Sequence, residues 1–522
     1  YCISIYMLIH PLPRRDTAPS TATLSIQQRL RQALPLVFGC KDYQVEQTLL
    51  AHIDQILRES GVERTFLRLC RERFEARAQE ARDDGRRAQS GGGALDRHLY
   101  HSLCALRCTV LKTLIGAGYR ETSRQLAHSP LYRWFCALED FDAVRVPAKS
   151  TLRDYAHWLP ASEMRRVLDS LTEAVADHAR ARRIGLESEL DMTVTWVDST
   201  CLPAHIHFPT DWVLMRDGVR TLIKSILTIR RHGLRRRIPE PEDFLARINA
   251  LAMGMAAAAR RAGGQSPRKH ILRSMKRISK VVEEHGRRYR DALDTHWAET
   301  DLTRPEAEVI LRRIDNVLHQ MPEARRQAHE RIIGGRQVPN ADKILSLYEG
   351  DVHVVVRRKA GAEVEFGNSL LLAESGDGFI LDHELRRGAS PGDARWLLER
   401  YAHIRQASGE RLCGMVGDRG FDSAATRRLL EAEDVYDGLC PRDPARLAAR
   451  VRDDEVFCLA MRRRAQTEGR IAILKNVFLG GVPRAKGFTN RQLQVAWAVL
   501  THNLWLTARL PWARRRTPAL AA

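Results

Sequence analysis

Residues 192–200 read MTVTWVDST and residues 412–420 read LCGMVGDRG. Each is a short β-branched or apolar run that closes on an aspartate and then on polar or turn-forming residues. Met192–Val197 leads to Asp198, with Ser199 and Thr200 behind it. Leu412–Val416 leads through Gly417 to Asp418. Each aspartate is therefore expected at the exit of a strand. Carboxylates at the carboxyl ends of neighbouring strands lie near the crevice where α/β folds place ligands. One such residue means little, because 64 acidic residues supply several by chance, most of them capping a turn.

Strand signals continue around the second aspartate. VHVVV, AEVEFGNSLLLAES and GFILDHELRRG lie between residues 352 and 388, with Ser375-Gly376-Asp377-Gly378 as a hairpin turn. A helix is expected over Asp393–Ser408, a strand at LCGMVG, a helix over Ser423–Ala432, a short strand at DGLC and a long helix from about Leu459 to Phe478. The strand at 192–197 belongs with this block. More than a hundred helical residues after Pro209 separate the two. The pattern predicts an α/β core built around one sheet, split by an all-α insertion. The strand order is not readable from the sequence.

The N-terminal part is helical. Ser25 to Arg82 repeats apolar residues at three- and four-residue intervals, and RDDGRRAQSGGG (82–93) reads as a linker. A second helical block runs from Leu95 to about Ala181. Within it, TVLKTLIGAGYRETSRQLAHSPLYRWF passes from helix through a Gly-bearing turn to helix, a pattern compatible with helix-turn-helix DNA binding. An amphipathic helix over Asn490–Leu510 follows the core. The expected organisation is a poorly defined segment 1–24, a helical N-terminal domain 25–190, an α/β block 191–208 with 346–482, a helical insertion 209–345, and a C-terminal helix with a basic tail 483–522.

Composition narrows the partners. Lys plus Arg is 84 against 64 acidic residues, a net charge of +20, which favours polyanions. Ten cysteines lie scattered. Cys104 and Cys108 lack the spacing of a zinc knuckle and read as buried residues on one helix face. Reduced thiols and a cytoplasmic setting are expected. No run of about 20 apolar residues marks a membrane helix. The first Met is Met7, and no function is assigned to Tyr1–Ile9.

The third candidate acid lies in MRRRAQTEGRIAILKNVF (461–478). At 100° per residue, Met461, Arg464, Ala472 and Lys475 fall within about 40° of Glu468. Geometry alone favours a solvated face with an Arg–Glu pair.

This segment resembles the signature of bacterial insertion-sequence DDE transposases with an RNase H-like catalytic domain: Tyr, two residues, Arg, three residues, Glu, six residues, Lys. Arg464, Glu468 and Lys475 match it, while Met461 stands at the Tyr position. VDST, HFPTDWVLMRDGVR, RRKAGAEVEFGNSLLL and VGDRGFDSAATRRLL are similar to other stretches of the family. SPLYRWFCALEDFDAVRVPAKSTLRDYAHWL resembles segments that precede the catalytic domain. The likeness spans roughly residues 100–505.

The resemblance implies an RNase H-like α/β core, a mixed sheet flanked by helices, with Asp198, Asp418 and Glu468 as catalytic, metal-binding carboxylates. Two divalent ions, Mg²⁺ or Mn²⁺, would clamp the attacking and leaving oxygens of an in-line displacement. Asp198 would bridge both, and Asp418 and Glu468 would each complete one sphere. Arg464 and Lys475 would contact DNA phosphate or hold Glu468. The implied partners are double-stranded DNA, namely terminal inverted repeats and target, and a second copy of the chain, with the protein at the bacterial nucleoid. Alternatives are a copy that binds DNA without catalysis, to which Met461 and the missing initial Met point, and an RNase H-like nuclease that never joins strands.

Other charged residues receive bland readings. Asp422 is expected to cap the helix near Ser423, and Asp211 and Asp217 to be surface or turn residues. Glu363 and Glu365 share one strand face. The Arg230–Arg237 and Arg514–Arg516 clusters read as solvated faces or phosphate contacts.

Overall fold

The computed structural model describes residues 37–85, 92–138, 144–261, 263–359, 362–409, 411–481 and 485–516. The 1–24 segment lies outside them, as do the Tyr1–Ile9 stretch and residues 86–91 of the 82–93 linker. The chain is mixed α/β, with six strands in one mixed, open sheet flanked by helices.

Among the described residues, eight helices come first: α1 (Lys41–Glu59), α2 (Val62–Asp83), α3 (Gly92–Leu114), α4 (Tyr119–His128), α5 (Pro130–Phe135), α6 (Lys149–Ala156), α7 (Ala161–Ala176) and α8 (His178–Arg183). Gly116, with φ +63, turns the chain between α3 and α4. Cys104 and Cys108 are buried on α3. A fully buried Arg107 is held by Asp54 at 2.6 Å and Glu63 at 2.7 Å, which ties α1, α2 and α3 together.

Strand β1 (Val194–Pro203) precedes a four-helix insertion. This comprises α9 (Asp211–Arg231), α10 (Pro241–Ala259), α11 (Gln265–His296) and α12 (Arg304–Ala328), packed around a core of their own that includes Leu222, Ile226, Met275, Val282 and Ile314. Each helix is amphipathic, so the bundle buries its apolar stripes without using the sheet. Asp211 is not a surface residue: it is buried, accepting from Gln327 at 2.8 Å and Arg331 at 2.9 Å. The carboxylate anchors the start of α9 to the end of α12. Asp217 is half-buried and pairs with its neighbour Arg216.

The core resumes with β2 (His353–Lys359), β3 (Ala362–Ser375) and β4 (Ile380–Leu385), then α13 (Asp393–Ala407), β5 (Gly414–Gly417), α14 (Ala424–Ala432), β6 (Tyr436–Leu439), α15 (Pro444–Asp453), α16 (Glu455–Ile473) and α17 (Phe488–Arg516). A π-helical turn at Leu474–Phe478 extends α16. Helix α15, capped by Asp443, was not anticipated. Four of its ten residues are charged and none is buried, so no buried apolar stripe marks it.

The strand order is β2-β3-β1-β5-β6, with β4 also paired to β3. Strand β3 is long enough, at 14 residues, to pair antiparallel with β2 through its first half, with β4 through its second half and with β1 across its other edge. Strands β1, β5 and β6 are parallel. Val197, Leu371 and Ala373 face α13 and α14 with Trp396, Leu397 and Phe421. Leu202, Leu370 and Leu372 face the opposite way, into the core shared by α17 and the N-terminal helices. Asn503 on α17 fixes that helix to β4 by bonding both the N–H and the C=O of Ile380, at 3.0 and 2.8 Å. Among the described residues, no helix is long and apolar enough to cross a membrane.

Candidate active site

Asp198 does not end its strand. β1 continues to Pro203 because its antiparallel pairing with β3 runs on to Gly367, although its parallel pairing with β5 stops at Val197–Gly417. The next residues on the two parallel strands are Asp198 and Asp418. One stands mid-strand and buried, 7% exposed, while the other stands in the turn that follows β5. The register therefore sets the two aspartates side by side, although 220 positions separate their numbers.

Local bonds fix both carboxylates. Asp198 Oδ1 accepts from the backbone N–H of Ser199 at 2.8 Å. Asp418 Oδ1 accepts from the N–H of Gly420 at 2.8 Å, the turn chemistry typical of Asp. A Cβ at residue 420 would fall 2.4 Å from an Asp393 carboxylate oxygen and 2.9 Å from that same Asp418 oxygen, so a side chain there would push the carboxylates aside.

Helix α16 supplies the third acid. It packs across β1, β5 and β6, on the face where Trp196, Asp198 and Thr200 alternate. Arg464 is its central contact. One guanidinium nitrogen lies 3.5 Å from Asp198 and 3.8 Å from Asp418, and the other lies 3.8 Å from Glu468. Lys475 donates to Thr200 Oγ1 at 3.4 Å. The structure thus brings Asp198, Asp418, Glu468 and Arg464 together, with Lys475 one strand step away. Met461, at the motif's Tyr position, is half-buried on the same helix.

Burial pushes the Asp198 carboxyl up to about 6; Arg464 opposes this, and the like charges of Asp418 and Glu468 add to it. An acid that is under-compensated in its cleft is a recognised mark of a functional site. The side chains of Asp418 and Glu468 are 41% and 58% exposed, so the cluster is open on one side.

Among the described residues, no three His, Cys, Asp or Glu side chains stand close enough to form a metal site by themselves. The carboxylates meet through the Arg464 guanidinium instead. Carboxylate oxygens are the donors that suit hard ions such as Mg²⁺, which keep several waters. Asp198 and Asp418 are the pair that could hold one jointly, with Glu468 beside them.

Sequence reasoning missed what orients α16. Glu374 on β3 lies opposite Trp196 and is 4% exposed. It receives Thr467 at 2.7 Å, Arg463 at 3.1 Å and Arg470 at 3.3 Å. Arg463 stacks over Trp196 at 4.5 Å, whose indole N–H donates to the Ala460 carbonyl at 3.2 Å. These contacts seat one stripe of α16 on the sheet and turn the neighbouring stripe, with Arg464 and Glu468, toward the aspartates. The available signal was a charged residue inside the apolar run LLLAES. Its partners lie about 90 positions downstream and were not identifiable from local pattern.

Asp422 is not the helix cap. Ser423 caps α14, accepting from Thr426 N–H at 3.1 Å. Asp422 is buried, accepts from Arg442 N–H at 2.8 Å and pairs with Arg427, which holds its carboxyl below the usual range against the effect of burial. Glu365 is half-buried. The side chains of Glu363 and of Arg514–Arg516 lie outside the described ones.

No family model, curated protein or solved structure matches the chain.

Proposed function

We propose that this chain is a DDE-type DNA transposase with an RNase H-like core, cutting the ends of its element and joining them to target DNA. One observation carries the reading. Three acids, one on β1, one in the turn after β5 and one on α16, each lie within 4 Å of the Arg464 guanidinium, and they are the three that the sequence resemblance singles out. An antiparallel β4-β3-β1 set extended by parallel β5 and β6 also supports an RNase H-like core.

The residues divide the work. Asp198 and Asp418, with Glu468, would hold divalent cations whose chemistry is to activate a water or a 3′ hydroxyl and stabilise the leaving oxygen. Asp198 must be ionised for that task, and added positive charge would draw its raised carboxyl back down. Arg464, freed from the acids, can present its fork to a phosphate, and Lys475 a point charge. The sheet and α16 supply the rigid frame on which such positioning depends.

The test is strand cleavage and joining by purified protein on duplexes carrying the element's ends, with Mg²⁺ or Mn²⁺. Joined product that disappears in Asp198→Ala, Asp418→Ala and Glu468→Gln is the expected result. Absence of cleavage and joining by the wild type overturns the reading. A second reading, DNA binding without catalysis, is favoured by the arginine that occupies the centre of the acids. It predicts mobility shifts that survive loss of all three carboxylates.

A further inference from the structure

The insertion carries a basic turn that the proposed chemistry does not use. Between α9 and α10 the chain reads RRHGLRRRIPEP over residues 230–241. Arg231, Arg235, Arg236 and Arg237 are all exposed. Among the described residues, none of these four makes an ion pair. Glu240, Glu242 and Asp243 follow at the start of α10, where their charge suits the helix N-terminus.

The turn is held rigidly from below. Tyr289 of α11 is fully buried. Its hydroxyl donates to the Arg236 carbonyl at 2.6 Å and accepts from the Arg236 N–H at 3.0 Å. The Arg230 guanidinium donates to the same hydroxyl at 3.1 Å and to the same carbonyl at 3.3 Å. Leu234 is buried and Ile238 packs on the bundle core. Both backbone groups of Arg236 are therefore fixed while its side chain and its two neighbours point out. Arg235, Arg236 and Arg237 are three consecutive exposed cations, and among the described residues none is paired with an acid. Such a surface gains most from an external polyanion.

Its position adds a length. Helix α9 begins at the Asp211–Gln327 anchor near the sheet and ends at this turn. Its 21 residues span roughly 30 Å at 1.5 Å each. That is about nine base pairs of duplex at ~3.4 Å per step.

We infer that the Tyr289-stapled turn, Arg235–Arg237, is a phosphate-contact surface for double-stranded DNA at the far end of the insertion, binding without base preference. The choice of DNA as the polyanion rests on the function proposed above. Each phosphate neutralised steepens the salt dependence of binding by about 0.9.

The test uses the full chain with EDTA and a fluorescent 30-base-pair duplex, titrated across KCl concentrations. Replacing the turn by R235Q, R236Q and R237Q together is expected to flatten the slope of log affinity against log salt by roughly two to three. The loss should be equal for end-containing and unrelated duplexes. Y289F keeps the charges but loosens their mount, and is expected to weaken binding several-fold at an unchanged slope. Wild-type slope and affinity in the triple variant, with an unchanged melting temperature, overturn the inference. So does loss of binding to anionic vesicles with DNA binding intact, which assigns the turn to lipid. Joining activity is read separately: a wild type that joins nothing sinks the catalytic reading and leaves the slope measurement standing.

Discussion

Helix α16 carries two acid–arginine clusters on adjacent stripes, and they are built in opposite ways. On one stripe, a single buried carboxylate, Glu374, receives two guanidiniums and a hydroxyl at 2.7–3.3 Å. On the other, three carboxylates share one guanidinium at 3.5–3.8 Å and two of them reach solvent. The first has more donors than charge to satisfy. The second has more negative charge than its arginine can balance. A closed, short, over-donated cluster fastens a helix. An open, long, under-compensated one leaves room for added positive charge. Ion pairing by itself says nothing about function; the balance and the exposure do.

The largest expected effect is on the open cluster. Asp198→Ala should reduce strand joining on the order of 10³-fold, since the clamp it serves supplies several kcal/mol and each 1.4 kcal/mol is tenfold. Melting should be unharmed. Joining at the wild-type rate would erase the distinction between the clusters as far as chemistry is concerned.

Next comes the closed cluster. Glu374→Ala strands Arg463 and Arg470 against the sheet, at a cost of about 3 kcal/mol or more, seen as a lowered urea midpoint. A stable variant with undisturbed α16 would show that the fastening lies elsewhere.

The third sharpens the contrast through pH. In metal-free protein, Asp198 holds its proton up to about 6, against an ordinary value near 4. Its raised carboxyl lets the folded state bind the proton more tightly than the unfolded chain does. That stability is complete below pH ~4 and lost as pH rises to about 6. Asp198→Asn should therefore stabilise the metal-free protein at pH 7 by roughly 2 kcal/mol. Asp382 runs the other way. Burial would raise it, but Arg400 at 2.7 Å and Arg165 at 2.5 Å hold it down to about 2. Its contribution is present above pH ~4 and fades as pH falls toward 2. Thermal melts from pH 3 to 7 separate the two, and equal pH profiles for the two Asn variants would break the comparison.

The smallest effect on stability is expected at Glu468. Its side chain is 58% exposed and its pair with Arg464 is loose, so Glu468→Gln should shift stability by less than about 0.5 kcal/mol while abolishing joining. A large loss of stability would make it a structural residue.

Much of this was legible in local pattern. β-branched runs bounded by Gly and Asp gave strands β2 to β6 closely and the start of β1, because alternation and turn chemistry act over a few residues. The helical insertion and the N-terminal helices were legible for the same reason. Asp198 was misread as a strand exit, since β1 is prolonged by a partner some 170 positions away. Asp211 and Asp422 were misread because their arginines, backbone donors and burial come from other elements.

By itself, the sequence determined which residues are acidic, basic or apolar, and hence the elements, the split core and the spacing of Arg464, Glu468 and Lys475. Only the tertiary structure decided that Asp198 and Asp418 are neighbours, through the parallel register of β1 and β5. It also decided which stripe of α16 meets them, through Glu374. The reason is physical: periodicity encodes burial along one element, whereas register and helix rotation are set by pairwise contacts between elements distant in the chain.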